Sequence, residues 1–192
     1  MATGLPDLVD EPRLDRAGFR DVVAGPEVGG HSGAMRSKTA DMAPEDAKVL
    51  DDVDEYGVHI VHVPEDDVGP GFSFTVGLWA TWQQAEVVVF GLPQEVAQDL
   101  LNGLADEVDD GRRFAAGEKH DGVLVGYPVR FLELAKARYG EFLGVAQWAY
   151  EGDDFPALQL VWPDKQGRWP WDPGVREGFA EAQPIVGVRP SS

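Results

Sequence analysis

GVHIVHVPEDDVGPGFSFTVGL, residues 57–78, is the stretch that decides the fold class. Its first part is rich in β-branched residues and ends at Pro64, as expected of a β-strand. The loop that follows is made of turn-forming residues. In residues 72–78 apolar side chains alternate with small ones such as Ser73 and Thr75, and this period of two predicts another strand. The stretch therefore predicts two consecutive strands joined by a turn.

The rest of the chain adds strands and helices to this beginning. A short helix is predicted to begin near Pro44, and apolar residues recur at helical spacing in residues 93–110 and 139–150. The further strand segments are residues 86–92, 123–134 and 157–162. From Gly57 the order is β-β-β-α-β-β-α-β, which predicts an α+β domain: a mostly antiparallel sheet packed against two helices on one face. A partly open barrel is the alternative form of the sheet.

Residues 46–174 carry this pattern and are predicted to form a single α+β domain. Residues 1–45 contain glycines and scattered charges without a sustained apolar period, so they are predicted to be a poorly ordered N-terminal extension. Translation from Met35 or Met42 is the alternative. Residues 175–192 are interpreted as a polar C-terminal tail spaced by glycine and proline.

Composition excludes several classes of function. The chain has 192 residues, with 34 acidic and 16 basic side chains, a net charge of -18 and no cysteine. Disulfides and thiolate chemistry are therefore excluded. The charge repels phosphate backbones and anionic membrane surfaces, so neither a nucleic-acid nor a membrane partner is expected. The sequence shows neither an apolar run of membrane-spanning length nor a secretory signal, which predicts a soluble, cytoplasmic protein.

The sequence shows no catalytic or metal-binding motif. His59 and His62 lie on a predicted strand, where their odd spacing sends them to opposite faces, so a shared metal is not expected. Glycine-rich phosphate loops and a nucleophilic serine motif are absent as well. His62 shares a face with Val58 and Ile60, which predicts that it lines an interior pocket. Because its ordinary pKa is close to 7, it is the strongest single acid/base candidate.

Two other positions combine polarity with a strand pattern. Ser73 and Thr75 form a small, polar strand face that leaves room for a ligand or another backbone. A solvent-facing side of the sheet is the alternative. Gln159 is the polar residue of an otherwise apolar strand, and its buried amide is expected to bond to neighbouring backbone or to a ligand.

The segment FPALQLVWPDKQGRWPWDP, residues 155–173, places three of the six tryptophans next to prolines. Proline restricts the backbone, and aromatic clusters on rigid loops are typical binding anchors. An aromatic lid that seals one end of the core is the alternative. The predicted ligand- or partner-binding residues are His62, Ser73, Thr75, Gln159, Trp162, Asp164, Trp169, Trp171 and Asp172.

Blocks from this chain together resemble an uncharacterised bacterial family, domain of unknown function 4262. The blocks are EYGVHIVHVPEDDVGPGFSFTVGL, VVVFGLP, GYPVRF and FPALQLVWPDKQGRWPWDP, and they cover about residues 54–173. The resemblance implies a small cytoplasmic domain without an assigned reaction. Where relatives tend to show His-Pro before a glutamate, this chain has Gln84-Ala85-Glu86, so a mechanism that used that histidine is lost. The family pattern falls on Tyr56, Gly57, Thr75, Gly77, Gln159, Trp162, Pro163, Asp164, Gly167, Pro170, Trp171 and Asp172.

We therefore expect a binding or interaction module whose Trp/Pro-rich loop lies next to a sheet pocket and takes a protein partner or a small molecule. The alternative is a small-molecule enzyme, or one with a flavin-type cofactor, of split-barrel-like architecture. Ser73, Thr75 and the loop tryptophans would then line the site. A purely structural subunit is the third hypothesis. The sequence identifies neither the cofactor nor the oligomeric state.

Overall fold

The computed structural model describes residues 33–189, so the predictions for residues 1–32 and 190–192 lie outside the described residues. The helices are α1 (Pro44–Tyr56), α2 (Leu78–Trp82), α3 (Gln94–Asp109), α4 (Tyr139–Phe142), α5 (Gly144–Ala149) and α6 (Phe179–Ala182). The strands are β1 (His59–Val63), β2 (Phe72–Val76), β3 (Glu86–Phe90), β4 (Lys119–Leu124), β5 (Tyr127–Glu133) and β6 (Ala157–Val161). A 3-10 turn, Lys136–Arg138, precedes α4.

The strands form one six-stranded sheet in the order β1-β2-β3-β6-β5-β4. Neighbouring strands are antiparallel except β3 and β6, which are parallel. The predicted α+β class with a mostly antiparallel sheet is confirmed. The first three strands, β1, β2 and β3, form a meander. In the described part of the chain the sheet stays open, with β1 and β4 as its edges, and does not close into a barrel.

Helices cover both faces of this sheet, whereas the sequence predicted helices on one face only. Along β3, Val87 and Val89 pack in a cluster with the apolar stripe of α3. Their neighbours Val88 and Phe90 point the other way and pack with residues of α1, α4 and α5. Every residue of β3 and of β6 is buried. A central strand that is apolar on both faces requires cover on both, which is the physical reason for the second helical layer.

Three helical segments depart from the sequence prediction, and one of them is α6, which lies in the predicted C-terminal tail. The predicted helix over 139–150 is interrupted at Leu143, so α4 and α5 are separate short helices. The helix α2 was not predicted, because its five residues are too few to show a helical period. Gly77 makes the turn from β2 into α2 with φ of 115°, a backbone conformation that favours glycine.

Part of the predicted C-terminal tail packs against the sheet. Phe179 is buried and meets the Trp162 ring edge-to-face, with ring centroids 4.9 Å apart. Gln183 is fully buried, and its side-chain amide bonds to both the backbone N–H and the C=O of Trp162, each at 2.9 Å. The segment is therefore attached to the end of β6 by a side chain that satisfies two backbone groups.

We predict that Gln183→Ala lowers the free energy of unfolding by about 2–4 kcal/mol, because the backbone N–H and C=O of Trp162 lose their partners in the interior. Urea denaturation followed by circular dichroism measures the change. The matched control is Glu181→Ala, an exposed side chain in the same segment, which should change stability by less than about 0.5 kcal/mol. Equal stability of the two variants would contradict the role given to Gln183.

Candidate functional site

Thr75, a predicted binding residue, is engaged in an interior cluster around Glu86. Glu86 is fully buried at the start of β3. One carboxylate oxygen accepts from the Thr75 hydroxyl at 2.6 Å, and the other accepts from the backbone N–H groups of Gly77 at 3.0 Å and Trp79 at 3.1 Å. The Tyr150 hydroxyl donates to the same carboxylate. Thr75 also accepts from the Val87 N–H at 2.9 Å, so its hydroxyl is fully engaged.

Burial controls the protonation of this cluster. It raises the pKa of Glu86 above its usual range, although the hydrogen bonds from Thr75, Tyr150 and the backbone act in the opposite direction. Burial and the neighbouring Glu86 charge also raise the pKa of Tyr150. Both groups lie inside the fold, so the cluster is structural. Sequence analysis missed it, because Glu86 stood at the start of an apolar strand with no local sign of its partners.

His62 and Ser73 face each other across β1 and β2, in register. The Ser73 hydroxyl lies 2.7 Å from His62 Nδ1, and the Gln98 side-chain oxygen lies 2.7 Å from His62 Nε2. Since that oxygen only accepts, Nε2 carries the proton and Nδ1 accepts from Ser73. Both imidazole nitrogens are therefore engaged within the protein, and Ser73 itself is 4% exposed.

Gln159 and Trp162 also make their contacts within the fold. The Gln159 amide is fully buried, donates to the Pro184 carbonyl at 2.7 Å and accepts from the N–H groups of Val186 and Gly187. Of the two alternatives for this residue, it bonds to neighbouring backbone. The Trp162 indole donates to the Phe90 carbonyl at 3.1 Å. These side chains hold the C-terminal segment and β6 together.

Asp164 fixes the turn between the tryptophans. It is 6% exposed, and its carboxylate accepts from the backbone N–H groups of Gln166 and Arg168 and from the Arg168 side chain. Burial alone raises the pKa of Asp164, but the Arg168 guanidinium and the backbone donors lower it below its usual range. Asp164 and Arg168 therefore stabilise the loop as a charge-assisted pair.

Trp169 and Trp171 lie at the surface, half-buried, and stack on each other with centroids 5.6 Å apart and planes 8° apart. The backbone N–H of Trp169 donates to the Asp172 carboxylate at 2.8 Å. This hydrogen bond fixes the backbone between Trp169 and Asp172. The Arg130 guanidinium lies 5.3 Å from the Trp169 ring centre, and that of Arg189 lies 6.0 Å from the Trp171 ring centre. We call Arg130, Trp169, Trp171 and Arg189 the arginine–tryptophan face.

The two arginines of this face have no acidic partner among residues 33–189. The arginine ion pairs in that range belong to Arg36, Arg112, Arg138 and Arg168. The buried Nε of Arg130 also lacks a hydrogen-bond partner there. Lys119 on β4 pairs in register with Arg130 on β5, and like charges directly opposite repel each other. Positive charge is thus concentrated at one place on a chain with a net charge of -18.

His59 belongs to a separate group on the other edge of the sheet. Its Nδ1 lies 2.7 Å from the Asp52 carboxylate, which also accepts from Lys48. A groove of about 290 Å³ lies beside this group, between α1, β1 and α3. A second cavity of about 370 Å³ lies between residues 35–38 and α1. Neither cavity is lined by any of the predicted binding residues.

The predicted binding residues therefore separate into two groups. His62, Ser73, Thr75, Gln159, Trp162 and Asp164 make their polar contacts inside the protein, whereas Trp169, Trp171 and Asp172 lie at the surface. The structure brings Trp169, Trp171 and Asp172 together on one loop but adds the two arginines, which sequence analysis missed. Their positions are distant along the chain and fit no local motif. The sequence therefore carried no signal that could have identified these two arginines.

The comparison with protein families supplies the identity of the domain. The matching family is described as a domain of unknown function (DUF4262), and the match covers residues 52–176, more than half of the chain. The chain belongs to this family, and the resemblance of the sequence blocks is confirmed. No curated protein and no solved structure matches it. Among residues 33–189, no helix combines the length and the apolar character needed to cross a bilayer.

The raised pKa of Glu86 predicts the sign of a pH effect. The folded state holds its proton more tightly than the unfolded state, so this contribution is fully present below the ordinary value of 4.5 and is lost as the pH rises through the folded pKa. Relative to Glu86→Gln, the wild type should therefore lose free energy of unfolding as the pH rises above 4.5. Urea denaturation at several pH values measures this difference.

The exposed Glu95→Gln is the control for this experiment, because it removes a carboxylate from the surface. The difference in free energy of unfolding between Glu95→Gln and the wild type should change little over the same pH range. If the difference in free energy of unfolding between Glu86→Gln and the wild type does not change with pH, burial does not control the protonation of this carboxylate.

Proposed function

We propose that this protein is a recognition module whose arginine–tryptophan face binds a carboxylate-rich segment of a partner protein. The observation that carries the proposal is the pair of guanidinium groups that have no acidic partner among residues 33–189, each held against a stacked indole. A guanidinium stacked on an aromatic ring keeps its N–H edge free for a carboxylate. The proposal thus specifies which chemical groups the predicted Trp/Pro-rich loop binds, namely carboxylates.

The rigidity of the face favours recognition. Trp169 and Trp171 flank Pro170, and the contacts of Asp164 and Asp172 fix the loop on both sides. Side chains that are already ordered lose little entropy on binding, so more of the contact free energy appears as affinity. Tryptophan and arginine are also the residues that most often dominate binding interfaces.

The shape of the face favours a peptide over a small carboxylate. Three distances separate the four planar groups. The Arg130 guanidinium lies 5.3 Å from the Trp169 ring centre, the two indole centres are 5.6 Å apart, and the Arg189 guanidinium lies 6.0 Å from the Trp171 ring centre. An extended peptide advances by about 3.3 Å per residue, so this row corresponds to several residues of a strand. Lys119 adds a further positive charge beside Arg130. A segment with several carboxylates therefore fits the row better than a single acid group.

The acidity of the whole protein does not prevent this interaction. At physiological salt the Debye length is about 8 Å, so a ligand at the surface responds mainly to the charges near it. Distant carboxylates lower the rate of encounter more than they weaken the bound state. The absence of cysteine fits the reducing cytoplasm in which we place the protein.

We predict that hexaglutamate binds the protein more tightly than hexalysine, and that Arg130→Gln raises the Kd for hexaglutamate about tenfold. A charge-assisted hydrogen bond contributes about 1.5–3 kcal/mol, and about 1.4 kcal/mol corresponds to tenfold. Isothermal titration calorimetry gives the Kd, and tryptophan fluorescence reports contact with the stacked indoles. Binding should weaken as salt is raised.

The matched control is Arg138→Gln. Arg138 also lies over an aromatic ring, that of Phe142, but its charge is paired with Glu141. The Kd of this variant should equal that of the wild type. Equal binding of hexalysine, or an unchanged Kd in Arg130→Gln, would remove the arginine–tryptophan face from the proposal.

A further inference from the structure

The groove between α1, β1 and α3 is lined mostly by polar residues. They are Lys48, Asp52 and Tyr56 from α1, His59 from β1, and Gln98 and Asn102 from α3. Val58 and Ile60 also line it. At about 290 Å³ it is close to the lower end of the usual range for small-molecule sites.

The contacts of His59 determine which of its nitrogens carries the proton. Burial alone raises the pKa of Asp52, but hydrogen bonds from Lys48 and His59 lower it below its usual range. An ionised carboxylate only accepts, so His59 Nδ1 is the donor in the 2.7 Å contact. In the neutral imidazole, Nε2 then carries a lone pair. No residue in the described part of the chain bonds to that nitrogen.

His62 differs from His59 in its hydrogen bonds. Both of its nitrogens are engaged, one by Ser73 and the other by Gln98. The sequence favoured His62 as the acid/base residue, because it shares a strand face with apolar residues. The hydrogen bonds instead leave His59 with an oriented and unoccupied basic nitrogen. An imidazole held through Nδ1 by a carboxylate has the arrangement of a general base.

We propose that this groove is a hydrolytic site for small uncharged esters, with His59 as its catalytic base and Asp52 as the positioning residue. The proposal is independent of the arginine–tryptophan face. An uncharged substrate fits because Lys48 bonds to both oxygens of Asp52, at 2.8 and 2.6 Å, so the two charges neutralise each other.

The reaction needs water and the ester alone. His59 Nε2 removes a proton from water as the water oxygen attacks the ester carbonyl carbon. The bond from that carbon to the alcohol oxygen then breaks, and the imidazolium returns the proton to the leaving oxygen. The products are an acid and an alcohol. The side-chain amide of Asn102 provides an N–H donor on the α3 wall for the carbonyl oxygen, on which negative charge develops.

Two helices contribute the other polar groups of the groove. α1 contributes Lys48, Asp52 and Tyr56, and the α3 residues that line the groove, Gln98 and Asn102, are uncharged. Because Asp52 holds the imidazole through Nδ1, Asp52→Asn should lower kcat about tenfold and leave KM nearly unchanged.

The test uses p-nitrophenyl acetate as the probe with the full-length protein. We predict that His59→Gln lowers kcat/KM about 100-fold, within the usual contribution of a positioned base. His120→Gln is the control, because His120 lies in β4, at the opposite edge of the sheet, and should keep the wild-type rate. Thermal unfolding of each variant establishes that the fold is retained.

Two results overturn the proposal. One is a wild-type rate no greater than that of buffer, and the other is an equal rate in folded wild type and folded His59→Gln. If Asp52→Asn raises KM and leaves kcat unchanged, Asp52 is not a positioning residue for the base. Loss of peptide binding at the arginine–tryptophan face has no bearing on any of these results.

Discussion

The rest of the structure depends on the buried carboxylate of Glu86. It connects β2, β3, the start of α2 and the residue that follows α5, through Thr75, two backbone N–H groups and Tyr150. The N–H groups of Gly77 and Trp79 belong to the first turn of α2, where no earlier carbonyl can accept them. A buried carboxyl group is tolerated only when hydrogen bonds replace its hydration, and burial favours its protonated form. The same contacts that stabilise the carboxylate therefore fix the turn after β2, and they attach the helical layer of α5 to the sheet.

A similar principle operates at the opposite end of the central strands. Gln159, Gln183 and Asp164 are buried, and each uses its side chain to satisfy backbone groups of a neighbouring segment. A polar group whose bonds are all made within the protein can bind a ligand only by losing those bonds. Burial of a polar residue in this fold is thus a sign of structural use. Ligand chemistry is to be sought where polar atoms have no partner in the described part of the chain, as at Arg130 and at Nε2 of His59.

The sequence predicted the features that follow from local residue patterns. The alternation in β2 and the apolar run of β3 predicted the first three strands, and helical spacing predicted α3. The cover on both faces was implied by the two-sided apolar character of β3, but the position of the second layer depends on contacts of α1 and α5 that no local pattern shows. Trp169 and Trp171 were found because prolines mark their loop. Arg130 and Arg189 were missed because a cation acquires its aromatic partner, or fails to acquire an acidic one, only through tertiary structure. For the same reason, strand parity separated His59 from His62 but could not show which of them has a free nitrogen.

The two proposed sites are far enough apart to act separately. His59 lies in β1 and Arg130 in β5, and the strand order places β2, β3 and β6 between them. Four spacings of about 4.8 Å put the two strands about 19 Å apart. Side chains at this distance share no partners, and the effects of changes in such pairs are usually additive. The sheet between them is buried on both faces at β3 and β6, so it resists the local rearrangements that could carry a signal. Binding at the arginine–tryptophan face should therefore leave the chemistry at His59 unchanged, and a measured coupling between the two would require a movement of the sheet as a whole.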